Sequence, residues 1–361
     1  MEFGQTAAQR DRCRTIRDAG EYDWQRLGEL GVLGAAIPVE HGGRGLGALD
    51  TALVFEAAGY GCHDTGLIFA AGAHLFAVAL PIAAFGSESQ KKKLPGLCDG
   101  TLIGANAMTE PDAGSDIGAL KTTAVRNGDD DGYVLNGMKS FVSNGPIADV
   151  YVTYAVTDPT AGHLGTTGFV VDAGTPGLVR GEPFGKLGMN GCAAGTVEFR
   201  DCAVPEDAVL GNGSLVFQHG MLWERACLFA IYLGVQDRLI ERCIRHVKQR
   251  KQFGRRLSDF QSVSNRVVDM RLRLESARLL LYKACWAIDQ DDLAVLPAAL
   301  SKLAVSQAAV QTALDAVELF GGRGYQTGEG IEEHLRDAVG GLIFSGTSDI
   351  QRQLAALELG L

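Results

Sequence analysis

The sequence predicts an α+β protein: helical in its first part, β in the middle, and helical again to the end, where it closes in a four-helix bundle. Three observations carry that expectation. Apolar residues recur at three- and four-residue intervals on both flanks, the middle breaks into short β-branched and aromatic segments, and the final stretches are long and joined by short links.

Residues 1–100 read as helices separated by glycine turns. The breaker cluster from Pro38 to Gly47 precedes a stretch, Ala48 to Leu80, of apolar and small residues at helical spacing. Residues 101–212 read as a β unit. Its segments include Tyr133-Val134-Leu135, Val150 to Tyr154, Gly168 to Val171 and Thr196 to Phe199. Between them stand turn formers, among them Asn127-Gly128 and Asn136-Gly137, both read as links between strands. Residues 213–361 return to helix, with amphipathic stretches at 216–250, 258–290 and 297–319.

The chain has 361 residues, 46% of them hydrophobic, enough for a large core in more than one structural unit. A formal net charge of −10 removes any general attraction to nucleic acid or anionic lipid, so an anionic ligand needs a local basic pocket. Eight scattered cysteines include no C-x-x-C pair and read as small buried apolar residues, and no metal site is expected. The start, Met1 to Arg14, lacks the apolar core of a signal peptide, and no apolar run is read as long enough to span a membrane. The expected location is the cytoplasm, with reduced thiols.

Chemistry concentrates in six stretches. They are Ile37 to Gly43, Met108-Thr109-Glu110-Pro111-Asp112-Ala113-Gly114-Ser115-Asp116, Asn136 to Gly145, Arg250-Lys251-Gln252-Phe253-Gly254 continuing through Gln261 to Met270, Gly321 to Tyr325, and Phe344-Ser345-Gly346-Thr347-Ser348-Asp349. The loop from Thr109 to Ser115 combines a proline, small residues and hydroxyls, so it can offer N–H and O–H groups to a phosphate.

Taken in order, these stretches resemble the acyl-CoA dehydrogenase family over nearly the whole chain. The resemblance implies FAD as cofactor. It places Met108, Thr109 and Ser143 at the flavin edge, Ser115 toward the diphosphate, and Phe141 where family members stack a tryptophan. Arg250, Gln252, Phe253 and Gln261 resemble residues that hold the FAD of a neighbouring subunit, a guanidinium suiting a diphosphate well. Gly321, Gly322, Phe344, Thr347 and Asp349 match positions touching flavin near the subunit boundary. Glu318 stands where many members have glutamine, which leaves an acceptor but no donor.

Dehydrogenating a thioester needs a carboxylate to remove the α proton while hydride leaves the β carbon for flavin. Many members carry that glutamate where this chain has Ser345, and an unactivated hydroxyl cannot replace it. The isovaleryl- and long-chain-type members carry it on the first long helix of the bundle, just before an arginine. Here that pair is Glu224-Arg225, with apolar flanks that argue for burial. Glu224 is therefore the expected base, with Arg225 beside it, and the Ser345 backbone N–H is expected to hold the thioester carbonyl.

The implied partners are an acyl-CoA or an acyl-carrier-protein thioester, an electron-transfer flavoprotein or O2 as acceptor, and a second copy of the chain in a homodimer or homotetramer. Neither nucleic acid nor membrane is expected. A flavin-dependent oxygenase or oxidase on the same fold, or an inactive flavin-binding homologue, are the competing readings.

Overall fold

The computed structural model describes residues 4–128 and 132–361, so the first three residues of the N-terminal stretch lie outside it. Among the described residues, seven α-helices come first: α1 (Ala7–Arg17), α2 (Trp24–Glu29), α3 (Ala48–Gly61), α4 (Thr65–His74), α5 (Leu80–Phe85), α6 (Glu88–Lys91) and α7 (Leu94–Asp99). Local chemistry sets their starts. Thr6 and Gln9 close a capping box on α1, and Asp64 caps α4 by accepting from the Leu67 N–H at 3.0 Å.

A π turn at Leu75–Ala79 joins α4 and α5 into one apolar rod. Thr65–Phe85 is long and apolar enough to cross a membrane by length and composition, contrary to the expectation that no run would be. Within this fold it is a core helix, 83% of its most apolar window lying inside the protein. His74 pins it in place: Nδ1 accepts from the Gly104 N–H at 2.9 Å, so Nε2 carries the proton and donates to the Leu97 carbonyl at 2.8 Å. Burial lowers the His74 pKa to about 4, which keeps the ring neutral in that role.

The middle unit holds β1 (Gly104–Ala107), β2 (Thr123–Arg126), β3 (Gly132–Ser143), β4 (Val150–Val156), β5 (Thr166–Asp172), β6 (Leu178–Arg180), β7 (Ala194–Pro205) and β8 (Val209–Asn212). They form one sheet in the order β6-β7-β3-β2-β4-β5-β8, with β1 added in parallel beside β4. Asn127-Gly128 does lie between paired strands, β2 and β3. Asn136-Gly137 does not. It sits inside β3 at a shift of register against β7, and a Cβ on Gly137 would meet the Thr122 hydroxyl oxygen at 2.4 Å. Glycine is required there by close approach, not by a turn.

Strand β4 is buried on both faces. Val150, Val152 and Tyr154 join the core shared with the helices, while Tyr151 and Ala155 enter a second core inside the sheet with Phe169 and Phe199. A strand covered on both sides reads as a continuous apolar run.

The chain then enters α8 (Gly213–Trp223), a second π turn at Glu224–Leu228, and α9 (Ala230–Gln249). After the short strands β9 (Lys251–Gln252) and β10 (Arg255–Arg256) come α10 (Gln261–Asp289), α11 (Val295–Phe320), α12 (Glu332–Gly340) and α13 (Ser348–Glu358). Helices α9, α10 and α11 pack on one another and α13 closes against α11. Helix α3 lies on α9 and α10, so the two helical parts share one core and the sheet sits against their junction.

Candidate active site

A cavity of about 1580 Å³ opens at that junction, walled by β1 and the loop after it, the end of β3, helices α4 and α8, and the loop between α12 and α13. Single drug-sized ligands occupy roughly 300–1,000 Å³, so this space suits a large cofactor together with a substrate. Glu224, Arg225 and Ser345 line it, as do Met108, Thr109, Ser115, Phe141, Ser143, Phe344 and Thr347.

Glu224 opens the π turn in the α8–α9 rod. The extra residue of a π turn re-aims the side chains around it, a feature common at functional sites. The residue is only 7% exposed. Burial raises its pKa from the ordinary 4.5 to about 7, against opposing pulls from a hydrogen bond with the Ser345 side chain and from the Arg225 charge. That value suits a base working near neutrality. Tyr154 lies close by: burial, and secondarily the Glu224 charge, push its phenol well above the usual range.

Arg225 ties this turn to the C-terminal loop by donating Nε–H to the Ser345 carbonyl at 3.2 Å. Gln351 Nε2 donates to the same carbonyl at 3.2 Å and to that of Gly346 at 3.1 Å. With both carbonyls held on the Gln351 side, the trans peptides turn the Gly346 and Thr347 N–H groups the opposite way. The Ser345 N–H also has no backbone partner among the described residues. Ser345 sits at φ 55°, outside the ordinary region for its type, so packing holds this loop in a strained form. Arg225 thus acts by positioning the loop.

The opposite wall fits a flavin. Phe141 sits at φ 56° near the end of β3, 68% exposed, its ring 5.5 Å from that of Phe184. An exposed aromatic held at a strained backbone position beside a large cavity is a stacking surface. Thr109 and Ser143 put hydroxyls on the same wall, and Thr347 caps α13 by accepting from the Ile350 N–H at 3.3 Å. A buried ion pair that the sequence reading missed supports this wall. Lys139 Nζ donates to Glu110 Oε1 at 2.8 Å and to the Met108 carbonyl at 3.2 Å, and Glu110 accepts from the Lys121 and Thr122 N–H groups at 2.7 and 3.0 Å. A lysine inside the Asn136–Gly145 stretch and a glutamate beside Thr109 were the available signal.

The other expected flavin contacts lie elsewhere. Arg250 ends α9, and Gln252 and Phe253 belong to a hairpin whose turn residues Phe253 and Gly254 are both at positive φ. Phe253 is 93% exposed, and Gln261 begins α10 in solvent. Glu318 pairs with Arg266, Gly321 ends α11 at φ 58°, Gly322 is exposed beside it, and Asp349 pairs with Arg352 at 2.8 Å. Within one chain none of these eight lines the cavity.

Three family models divide the chain among them: the acyl-CoA dehydrogenase N-terminal domain over residues 2–101, the middle domain over 105–202 and the C-terminal domain over 211–359. The chain belongs to the acyl-CoA dehydrogenase family. Among acyl-CoA dehydrogenase relatives, an L-prolyl-[peptidyl-carrier protein] dehydrogenase of Pseudomonas fluorescens is 52% identical, the match spanning 94% of this chain and 90% of the relative. The solved structure described as PigA with FAD and proline is 42% identical, with a TM-score of 0.95 and complete coverage of both chains. The prolyl acyl carrier protein oxidase AnaB is 40% identical, with a TM-score of 0.95 over 99% of this chain and 100% of that one. The α+β architecture with its C-terminal bundle is thus the acyl-CoA dehydrogenase fold, and the protein is an oxidoreductase acting on an acyl thioester.

The raised pKa of Glu224 gives this dehydrogenase a pH-dependent stability. The folded carboxyl keeps its proton up to about pH 7, whereas the unfolded one loses it near 4.5. Its contribution is therefore whole below pH 4.5 and is lost as pH rises through 7. Relative to wild type, Glu224→Gln should gain up to roughly 3 kcal/mol between those limits. Denaturant unfolding over a pH series checks this, and a gap that does not change with pH would place the carboxyl in water.

Proposed function

We propose that this protein uses FAD to dehydrogenate the α–β bond of a prolyl group carried as a thioester on a carrier protein, with Glu224 as the base. One observation carries the chemistry: a buried carboxyl with a pKa near 7 faces a cavity large enough for flavin and acyl group together. The choice of a carrier-bound prolyl group rests on the names of the Pseudomonas fluorescens and AnaB relatives.

Bound FAD supplies the two-electron acceptor for the hydride that leaves the β carbon. Glu224 takes the α proton onto its carboxylate. The Ser345 N–H donates to the thioester carbonyl and stabilises the negative charge that develops there, while Arg225 and Gln351 hold the loop still. Apolar residues Phe69, Met221 and Leu222 line the cavity and limit water around the base. Met108, Thr109, Ser115, Phe141, Ser143, Phe344 and Thr347 hold the flavin within one chain. Arg250, Gln252, Phe253, Gln261, Glu318, Gly321, Gly322 and Asp349 serve FAD bound in a second copy of a homo-oligomer. O2 is the second candidate acceptor beside an electron-transfer flavoprotein, since one relative carries the name oxidase.

The test is anaerobic titration of the flavin absorbance with prolyl-loaded carrier protein and, separately, with butyryl-CoA. The prolyl thioester should bleach the oxidised band with one equivalent, and butyryl-CoA should leave most of it. Bleaching by butyryl-CoA alone overturns the substrate. Admitting air to the reduced enzyme then separates the acceptors by the rate at which colour returns.

A further inference from the structure

Between Glu224 and solvent the cavity follows helix α8. Glu224 is buried, Leu222 half-buried, and Gln218 and Leu215 exposed, and all four line the same space. The helical stretch from Leu215 to Glu224 covers about 14 Å at a rise of roughly 1.5 Å per residue. The other exposed edge of the cavity, at Phe141, Leu187 and Ile343, lies beside the flavin wall, which leaves the Leu215 end for a substrate arm. A carrier protein presents its acyl group on a phosphopantetheine arm, whose roughly 13 chain bonds from sulfur to phosphorus reach about 15 Å at the advance of an extended chain. With the thioester beside Glu224, the phosphate of that arm emerges near Leu215, and Gln218 offers a donor and an acceptor to the amides passed on the way.

Leu215 has an apolar neighbour at this rim. The Asn212 side chain accepts from the Leu215 N–H at 3.2 Å and donates to the Leu164 carbonyl at 3.4 Å, which holds the two leucines close together. Each is 59% exposed. Single exposed leucines are ordinary, but two tied together at the mouth of a cavity make a contact surface. The segment Pro159–Gly165 that carries Leu164 packs on α8 and on Ile117–Ala119, whose Ile117 also lines the cavity. None of these three segments contains a lysine or an arginine, and Asp116 and Asp158 cap two of them. Free coenzyme A carries nucleotide phosphates beyond its arm, and these would meet like charge at a rim whose segments supply no cation. A carrier protein brings no such group.

We infer that the rim at Leu164 and Leu215 is the docking surface for the carrier protein, taking an apolar patch of that partner beside the root of its arm. The inference rests on the carrier-bound prolyl reading and adds the surface by which the protein holding the arm is recognised. Leu164 lies outside the cavity lining, so it touches the partner and not the reacting end of the arm. Once the two surfaces are in contact, entry of the thioester becomes an intramolecular step at high effective concentration.

The experiment measures anaerobic flavin reduction by prolyl-loaded carrier protein, free S-prolyl phosphopantetheine and S-prolyl coenzyme A, on wild type, Leu164→Asp and Leu164→Met. Flavin content, unfolding midpoint and gel filtration are measured on each protein to establish that it is folded, loaded and assembled. Wild type should favour the carrier-bound substrate over either free thioester by about tenfold or more in the second-order rate of reduction. Leu164→Asp should lower that rate for the carrier by about tenfold or more, keep the limiting rate at saturating carrier, and leave both free thioesters within about twofold of wild type. Leu164→Met, which keeps an apolar contact, should stay close to wild type with all three. If no prolyl thioester reduces the wild-type flavin, the prolyl reading fails and takes this inference with it. If prolyl coenzyme A matches the carrier in wild type, or if Leu164→Asp is as fast with the carrier as wild type, the prolyl chemistry stands and the docking surface is overturned. A smaller assembly of Leu164→Asp on gel filtration would assign the patch to a second copy of the chain and overturn it equally.

Discussion

Glutamine at position 224 should leave the bound flavin oxidised on the time scale of wild-type turnover, with reduction slower by about 10³-fold or more. General-base catalysis is worth roughly 10²–10⁴-fold, and among the described residues no second carboxyl shares this wall of the cavity to take over. Glu110, the other carboxyl lining it, is held by Lys139 and two backbone N–H groups. In wild type the reduction rate should rise about tenfold per pH unit below pH 7 and level off above it, following ionisation of a carboxyl with a pKa of about 7. Ser345→Ala is the contrasting variant. It keeps the backbone N–H and loses the hydroxyl whose hydrogen bond holds the Glu224 pKa down, so the maximal rate should survive while the acid limb moves to higher pH. Stopped-flow reduction over a pH series reads both effects. Near-normal reduction in Glu224→Gln would remove the mechanism.

Lys139→Met should destabilise the protein by about 3–5 kcal/mol, because it leaves the Glu110 carboxylate buried without its counter-charge. It should also lower the ratio of flavin to protein on purification, since Lys139 holds the Met108 carbonyl at the start of the flavin-edge loop. Adding Glu110→Gln removes the stranded charge, so the double variant should recover much of the stability without recovering tight flavin binding. Denaturant unfolding and flavin content measured on the same samples separate the two effects. Equal stability of wild type and Lys139→Met would show that the pair is solvated.

How much was legible in advance differs between elements. The helices and strands follow from local pattern: the long stretches read at 258–290 and 297–319 correspond to α10 and α11 within a few residues. Glu224 was legible through the resemblance to family members that carry a Glu-Arg pair on this helix, and the apolar flanks Trp223 and Ala226 to Phe229 added the expectation of burial. Asn136-Gly137 misled, since the same dipeptide serves a hairpin turn or a close strand crossing, and only its neighbour Thr122 decides which. Thr65–Phe85 passed unnoticed as a rod of membrane-spanning length, and composition alone does not say whether lipid or protein covers it.

Residue order by itself determined the alternation of helix and strand, because torsional preference and the period of apolar residues are properties of neighbours in the chain, and the six motif stretches in their order carried the resemblance that pointed to the family and to Glu224. Only the tertiary structure decided that Glu224 is dry enough to hold its proton near neutrality and that the Ser345 loop is clamped by Arg225 and Gln351. Those properties depend on how water is excluded and which polar groups go unpaired. Segments more than a hundred residues apart settle both when they pack together.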